Sequence, residues 1–124
     1  MSERGFSLVE AVVAIAILGT VVIGILPAFT VQFSSNTRNE VRSGAVAVTQ
    51  IVIEDHRMDD PTTMPTGGSD APVFHSIGNR DYEAITHYCL RNEYCDTYSR
   101  HLLVEVFLDN RKVYDVETIF VKLR

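Results

Sequence analysis

A long stretch without charge near the N-terminus constrains this chain more than any other feature. Residues 11–37 include no Asp, Glu, Lys or Arg across 27 positions. As a helix, such a segment would extend about 40 Å, which exceeds the ~30 Å hydrocarbon core of a bilayer. Its most apolar part, residues 11–29, consists of Val, Ile, Leu, Ala and Phe with only two glycines, one threonine and one proline between them. The sequence therefore predicts a membrane-spanning helix.

Chain length and charge narrow the alternatives. At 124 residues, the chain suits one small domain. The net charge is −5, and the acidic excess lies after residue 38, so bulk electrostatics gives no reason to expect nucleic-acid binding. The sequence has no Ser/His/Asp set, phosphate-binding loop or HExxH motif. We therefore expect a protein that is not an enzyme and has no cofactor.

The N-terminus does not have the layout of a secretory signal peptide. Only residues 1–5 precede the apolar region, and no clean A-x-A cleavage site follows it. We expect the apolar helix to be retained in the mature protein.

An apolar stripe continues beyond the uncharged stretch. Its members recur at helical spacing: Val41, Ala45, Val48 and Val52, with Ile51 widening the stripe. Asp59, Asp60 and Pro61 close the segment. A single helix over about residues 6–57 is predicted.

The remainder of the chain has the character of a loop followed by strands. Residues 59–72 are rich in Pro, Gly, Thr and Asp, which predicts an exposed loop that contributes nothing to the core. Residues 73–124 contain short β-branched and aromatic runs, typical of a small antiparallel sheet packed on the helix stripe. The predicted fold class is α+β, with a long N-terminal helix and a C-terminal antiparallel β-sheet.

The clearest strands are residues 101–108 and 113–123. Alternate positions form one apolar face on each strand: Leu102, Val104, Val106 and Leu108 on the first, and Tyr114, Val116, Thr118 and Phe120 on the second. A connecting loop of even length would set the first face against the side that carries Asp115 and Glu117. We therefore predict a hairpin with an odd-length loop, which aligns the apolar faces.

A short motif leads directly into the apolar helix: Gly5-Phe6-Ser7-Leu8-Val9-Glu10. A carboxylate in the membrane is unfavourable, by about 2.5–3.5 kcal/mol for Asp at the bilayer centre and by less near an end. Glu10 is therefore expected to have a partner. The alternative is that Glu10 reaches the cytoplasmic interface of an ordinary signal anchor.

The segment GFSLVEAVVAIAIL resembles the N-terminus of the type IV pilin-like family. Prepilins of this family carry a short leader that ends in Gly, followed by Phe and by Glu at the fifth mature position, as Gly5, Phe6 and Glu10 do here. Gly19 and Pro27 also fall where the family commonly has glycines or kinks. The resemblance covers about residues 4–30 and is closest to minor pilins of the PilV type and to I-type pseudopilins of type II secretion.

The resemblance implies an order of events. A prepilin peptidase would cut between Gly5 and Phe6 and methylate the new amine of Phe6. The subunit would leave membrane lipid for a helical filament, where Glu10 neutralises the Phe6 amine of a neighbouring subunit. Gly24 to Pro27 is a candidate for local melting during assembly.

Small residues in the apolar helix suit close approach between helices in such a filament, although they also suit any membrane helix. They are Ala11, Ala14, Ala16, Gly19 and Gly24.

By the same resemblance, the chain divides into a leader (1–5), a membrane and filament-core helix (6–30) and an extracytoplasmic domain (31–124). The implied partners are prepilin peptidase, the major and other minor pilins, and an assembly platform in the bacterial inner membrane. The implied destinations are that membrane, with the C-terminal domain in the periplasm, and the surface pilus.

Cys89 and Cys95 are the only cysteines. Because the resemblance implies an oxidising compartment, we expect a disulfide between them. Free thiols are one alternative, and zinc bound with His87 and His101 is another, although their spacing matches no standard zinc finger.

Aromatic and basic residues in the C-terminal part raise one further hypothesis, stacking and phosphate contacts to single-stranded DNA. The residues are Tyr82, Tyr88, Tyr94, Tyr98, Arg91, Arg100, Arg111 and Lys112. Net acidity favours the simpler interpretation of surface tyrosines and solvated basic residues. We therefore do not expect this chain to bind nucleic acid directly.

Overall fold

The computed structural model describes residues 7–122. One helix, α1 (Leu8–Arg57), precedes the strands β1 (Gly68–Ser69), β2 (Val73–Ile77), β3 (Arg80–Tyr88), β4 (Ser99–Leu108) and β5 (Arg111–Val121). A 3-10 turn (Asn92–Tyr94) lies between β3 and β4. The described residues fall into two compact units, 7–38 and 39–122.

The first unit is the N-terminal part of α1. Within the described residues, α1 is the one helix long and apolar enough to cross a membrane, with a mean hydropathy of 2.6 over its most apolar 18 residues. None of that window is buried, whereas a helix in the core of a soluble protein would be covered. α1 ends at Arg57, as the sequence predicts.

The second unit contains the rest of α1 and an antiparallel sheet, which confirms the predicted α+β class. β1 and β2 both pair with β3, which then pairs with β4, and β4 with β5. Each pairing is antiparallel, as short connections between sequential strands favour.

The core lies where the C-terminal half of α1 packs on β3 and β4. Ala45, Val48 and Val52 of α1 contact a buried group in the sheet: Tyr82, Ala84, Val104 and Val106. The predicted stripe is therefore confirmed at these three positions, with Val41 partly buried beside them. Ile51 is a correction: it remains 44% exposed, because the buried face turns toward Gly44 and Thr49 instead.

The β4–β5 hairpin corrects the predicted loop length. Leu108 pairs with Arg111, so the turn has two residues, Asp109 and Asn110, with φ of 51° and 59°. Positive φ at both positions is typical of the type I′ turn, whose twist suits a hairpin.

The predicted alignment of apolar faces is nevertheless confirmed. Phe107 pairs with Lys112 while Val106 pairs with Tyr114, so Val113 is an extra residue on β5. This β-bulge shifts the register by one and sets Val104 against Val116. An even-length turn and a bulge thus achieve what an odd-length loop was expected to do.

The segment after α1 contributes to the core, contrary to the prediction for residues 59–72. Met64 is 6% exposed and packs with Tyr88 and Leu102, and Phe120 lies against this second cluster. Met64 therefore covers apolar side chains at one end of the sheet that are not part of the cluster packed on α1. The segment also supplies β1.

Candidate functional site

The start of α1 is the first candidate site. The carbonyl oxygen of Ser7 accepts hydrogen bonds from the backbone N–H groups of Glu10 (3.0 Å) and Ala11 (3.1 Å). Glu10 lies in the first helical turn, where the helix dipole favours a carboxylate. Its side chain is exposed and forms no ion pair with any described residue. Gly5 and Phe6, the predicted processing residues, lie outside the described part of the chain.

Apolar side chains cover the surface of the first unit. Leu8 is 80% exposed and Phe33 71%, and the large apolar residues between them are exposed as well. A β-carbon built at Gly19 or Gly24 would meet no atom within 4 Å. Pro27 lies inside α1, which is helical on both sides of it. An apolar surface of this extent requires lipid or protein to cover it.

The β3–β4 connection is closed by the cysteine pair. Cys89 and Cys95 lie at disulfide distance, with 5.8 Å between their Cα atoms. The N–H of Cys89 donates to the carbonyl of His101 (2.8 Å), and the N–H of His101 donates to Sγ of Cys95 (3.2 Å). These contacts hold the loop against the start of β4.

Three of the four residues of the alternative zinc set have other side-chain partners. Sγ of Cys89 and Sγ of Cys95 lie at disulfide distance from each other, and His87 contacts Ser69 (2.7 Å) and Glu105 (3.1 Å). Within residues 7–122, no group of three or more His, Cys, Asp or Glu side chains could hold a metal ion.

His101 is the fourth member of that set. Its ring is 2% exposed, and neither nitrogen has a hydrogen-bond partner among the described residues. Nε2 lies 3.5 Å from the Glu117 carboxylate.

Glu105 links two basic side chains on the same face of the sheet. Partial burial alone would raise its pKa, but hydrogen bonds from Lys112 and His87 outweigh that effect and lower the pKa. Lys112 is thereby neutralised by Glu105 and by Asp115, 3.7 Å away.

The residues of the DNA-binding hypothesis do not form one surface. Tyr82 and Tyr88 are 1% and 4% exposed, so neither ring is available for stacking. Arg100 is 6% exposed, and Arg91 is paired with Glu117 at 3.1 Å. Tyr94, Tyr98 and Arg111 remain at the surface. The tyrosine and basic residues that the sequence suggested for DNA binding are therefore not available together on one surface.

A polar cluster that the sequence did not reveal lies at the C-terminal end of α1. The hydroxyl of Tyr88 donates to Asp70 (2.5 Å), and His56 contacts Thr86 (3.3 Å) and Asp59 (3.5 Å). Burial and the hydrogen bond to Asp70 raise the pKa of Tyr88. The cluster joins the end of α1, strand β3 and the segment between α1 and β2. The sequence gave one sign of it, the predicted end of α1 near His56.

Comparison with known proteins supports the N-terminal resemblance. Residues 1–26 match the model of a family described as the prokaryotic N-terminal methylation motif. Neither a search of curated proteins nor a search of solved structures found a significant match. The match ends before the sheet and does not distinguish a PilV-type pilin from an I-type pseudopilin. The methylation motif and the exposed apolar helix make the N-terminal segment of this chain similar to that of type IV pilin-like subunits.

Proposed function

We propose that this chain is a minor type IV pilin, a structural subunit that assembles into or at the tip of a pilus. One observation carries the proposal: Glu10 lies in the first turn of an exposed apolar helix, within the segment that matches the methylation motif. A carboxylate at this position needs a cationic partner in surroundings that exclude water, and processing at Gly5 would create one.

The first step is removal of the leader. Cleavage between Gly5 and Phe6 by prepilin peptidase produces an amine at Phe6, which the same enzyme methylates. The amine keeps its positive charge after one methylation. The mature chain then begins with a cation and carries a carboxylate at Glu10.

The second step is pairing between subunits. In a packed bundle of apolar helices, an unpaired carboxylate and an unpaired amine are each strongly unfavourable. Contact between Glu10 and the Phe6 amine of a neighbour neutralises both. This pairing favours one axial register between adjacent subunits, since a shifted register leaves both charges unpaired.

The third step adapts the helix to the filament. Gly19 and Gly24 leave open space on the surface of α1, which permits close approach of a neighbouring helix. Pro27 has no N–H to donate, so the helix lacks one stabilising hydrogen bond there. Residues 24–27 are thus the proposed point of local melting.

The C-terminal domain is proposed to lie outside the cytoplasmic membrane. The cysteine pair at disulfide distance supports this location, because structural disulfides persist in oxidising compartments. Residues 1–5 would form the leader, 6–30 the membrane and filament-core helix, and 31–124 the external domain. Partners would be prepilin peptidase, the major and other minor pilins, and the inner-membrane assembly platform.

Two alternatives make different predictions. A type II secretion pseudopilin would be processed in the same way but would assemble with secretion components rather than with a surface pilus. A signal-anchored binding module would keep residues 1–5 and would not polymerise.

The test combines processing with abundance. Intact mass of protein extracted from membranes should show loss of residues 1–5 and gain of one methyl group. Quantitative mass spectrometry of sheared pili should detect this subunit at a small fraction of the major pilin. An unprocessed N-terminus in cells with active prepilin peptidase would reject the proposal, and abundance equal to that of the major pilin would reject the minor role.

A further inference from the structure

Arg100 is a buried cation that has no carboxylate within ion-pair distance. The side chain is 6% exposed, yet it forms no ion pair within 4.0 Å among residues 7–122. Its hydrogen bonds go to backbone carbonyls instead: Nε donates to Met64 (3.2 Å), and one terminal nitrogen donates to Ser99 (2.9 Å) and to Asp96. Buried arginines are normally paired with an acid, whereas here the carboxylate of Asp96 acts on Arg100 only from beyond 4.0 Å.

These carbonyl bonds orient the guanidinium. They involve Nε and Nη1, whereas Nη2 makes no hydrogen bond with any described residue. A guanidinium is planar with donors in a fixed fork, so its remaining donors are held in one orientation before any ligand arrives.

Arg100 lines a polar pocket of about 470 Å³. The other polar side chains in its wall are Thr62, Thr66, Asn92, Asp96 and Thr97. Three hydroxyl groups and one amide therefore surround a single positive charge. Groups of this kind form hydrogen bonds to a bound oxyanion.

Hydrogen bonds and the cysteine pair restrict the movement of both walls of the pocket. On one side, Asp60 accepts hydrogen bonds from the N–H and hydroxyl of Thr62 and is itself bound by Lys122 at 2.5 Å. On the other side, the cysteine pair closes the loop that carries Asn92. Walls that are fixed before binding lower the entropic cost of association.

The charge balance disfavours a ligand with two negative charges, because the carboxylate of Asp96 partly offsets the charge of Arg100. Asp96 lies in the same wall, and its carboxylate accepts hydrogen bonds from the N–H groups of Tyr98 (2.6 Å) and Ser99 (2.9 Å). The bond from Tyr98 is the main reason that the pKa of Asp96 is lowered, so this carboxylate is ionised at neutral pH. A dianion such as phosphate would be repelled more strongly than a carboxylate.

We propose that this pocket binds a small carboxylate, with Arg100 supplying the charge and Asn92, Thr66 and Thr97 supplying hydrogen bonds. The inference does not depend on filament assembly, because all of these residues belong to residues 39–122. It assigns a ligand-binding capacity to the C-terminal domain in addition to its proposed structural role.

The experiment uses the full chain in non-ionic detergent micelles at pH 7.5 and constant ionic strength. Acetate is the probe, and backbone amide NMR resonances of Thr97 and Arg100 report binding. Removal of Arg100 would also remove the carbonyl contacts that hold the two loops, so the test variant is Asn92→Asp, which adds a negative charge to the wall. The matched control is Asn110→Asp, which makes the same change in the β4–β5 turn.

Acetate should shift both resonances in a saturable manner. Asn92→Asp should raise the Kd by about tenfold or more, because like charges in a binding site repel, while Asn110→Asp should leave it unchanged. Shifts that fail to saturate, or an equal Kd for both variants, would overturn the proposal. Tighter binding of inorganic phosphate than of acetate would overturn the carboxylate assignment.

Discussion

The Tyr82 hydroxyl packs so closely against Gly44 of α1 that a β-carbon built on the glycine would lie 2.3 Å from its oxygen. The same hydroxyl donates a hydrogen bond to the carbonyl of Val41 at 3.2 Å. Tyr82 is 1% exposed and has little room to move. This contact sets how near α1 approaches β3, because any side chain at position 44 would force the two apart.

Gly44→Ala should therefore destabilise the C-terminal domain. Overpacking a tight core site costs about 1–3 kcal/mol, whereas alanine in place of glycine in a helix contributes about 1 kcal/mol in the opposite direction. A net loss of stability is expected because the clash is with a buried ring. Thermal unfolding of the full chain in detergent, followed by near-ultraviolet circular dichroism, measures the effect.

A double-mutant cycle identifies the cause. Tyr82→Phe removes the oxygen that lies nearest to the added carbon, so it should cost less in the Gly44→Ala background than in the wild type. Gly67→Ala is the control, since a β-carbon there meets no atom within 4 Å. Additive effects of the two core substitutions would mean that the close contact is not what limits position 44.

The sequence predicted those parts of the fold that depend on periodicity. The helix end at Arg57, the stripe through Val48 and the aligned faces of β4 and β5 all follow from which positions must be apolar. The loop length did not follow, because a bulge at Val113 changes the register without changing the pattern. The Asp109-Asn110 pair was the available signal, since these residue types tolerate positive φ.

Contacts between distant segments could not be predicted in this way. Burial of Met64 and of Arg100 depends on where the loop crosses the sheet, and periodicity carries no information about that path. The candidate site at Glu10 could be predicted because its motif is contiguous in sequence. The pocket around Arg100 could not, because its walls come from segments about 30 residues apart along the chain.

Reduction of the cysteine pair should lower the melting temperature. Cys89 and Cys95 are separated by 6 positions, and closing so short a loop contributes about 2–3 kcal/mol by restricting the unfolded chain. Melting curves with and without reductant measure the shift, and mass spectrometry without reductant should find the two residues linked.

The double variant Cys89→Ser/Cys95→Ser is the control for nonspecific effects of the reductant. Its melting temperature should be lower than that of the wild type and should not change with reductant. Stoichiometric zinc in the purified protein, together with alkylation of both thiols, would contradict the disulfide and favour the metal alternative.

Acid should weaken the ion pair between Asp60, in the segment after α1, and Lys122, which directly follows β5. The bond from Lys122 is the main reason that the pKa of Asp60 is lowered to about 2, with the N–H of Thr62 adding to it. Because the folded pKa lies below the ordinary value of 3.8, the stabilisation is full above about pH 4 and is lost as the pH falls toward 2.

The melting temperatures of wild type and Asp60→Asn should therefore differ most above pH 4 and converge near pH 2. Lys122→Gln should produce the same convergence, since it removes the other half of the ion pair. A difference between wild type and Asp60→Asn that stays constant from pH 5 to pH 2 would show that the Asp60 carboxylate charge contributes nothing to stability.

Glu10→Ala tests the proposed assembly mechanism. The variant should be expressed, inserted and cleaved at Gly5 much like the wild type, and insertion should improve slightly because an apolar residue replaces a carboxylate. Entry into filaments should fall sharply, because the Phe6 amine of the neighbour would lose its partner. Glu40→Ala is the control, since Glu40 is an exposed acid of the same helix, 3.8 Å from Arg80.

The most direct measurement is the ratio of sheared-filament protein to membrane-bound protein for wild type, Glu10→Ala and Glu40→Ala. Pairing between Glu10 and a neighbouring Phe6 amine predicts a ratio near zero for Glu10→Ala and an unchanged ratio for Glu40→Ala. Equal ratios for wild type and Glu10→Ala would contradict the assembly role of Glu10 and favour an anchored module that does not polymerise.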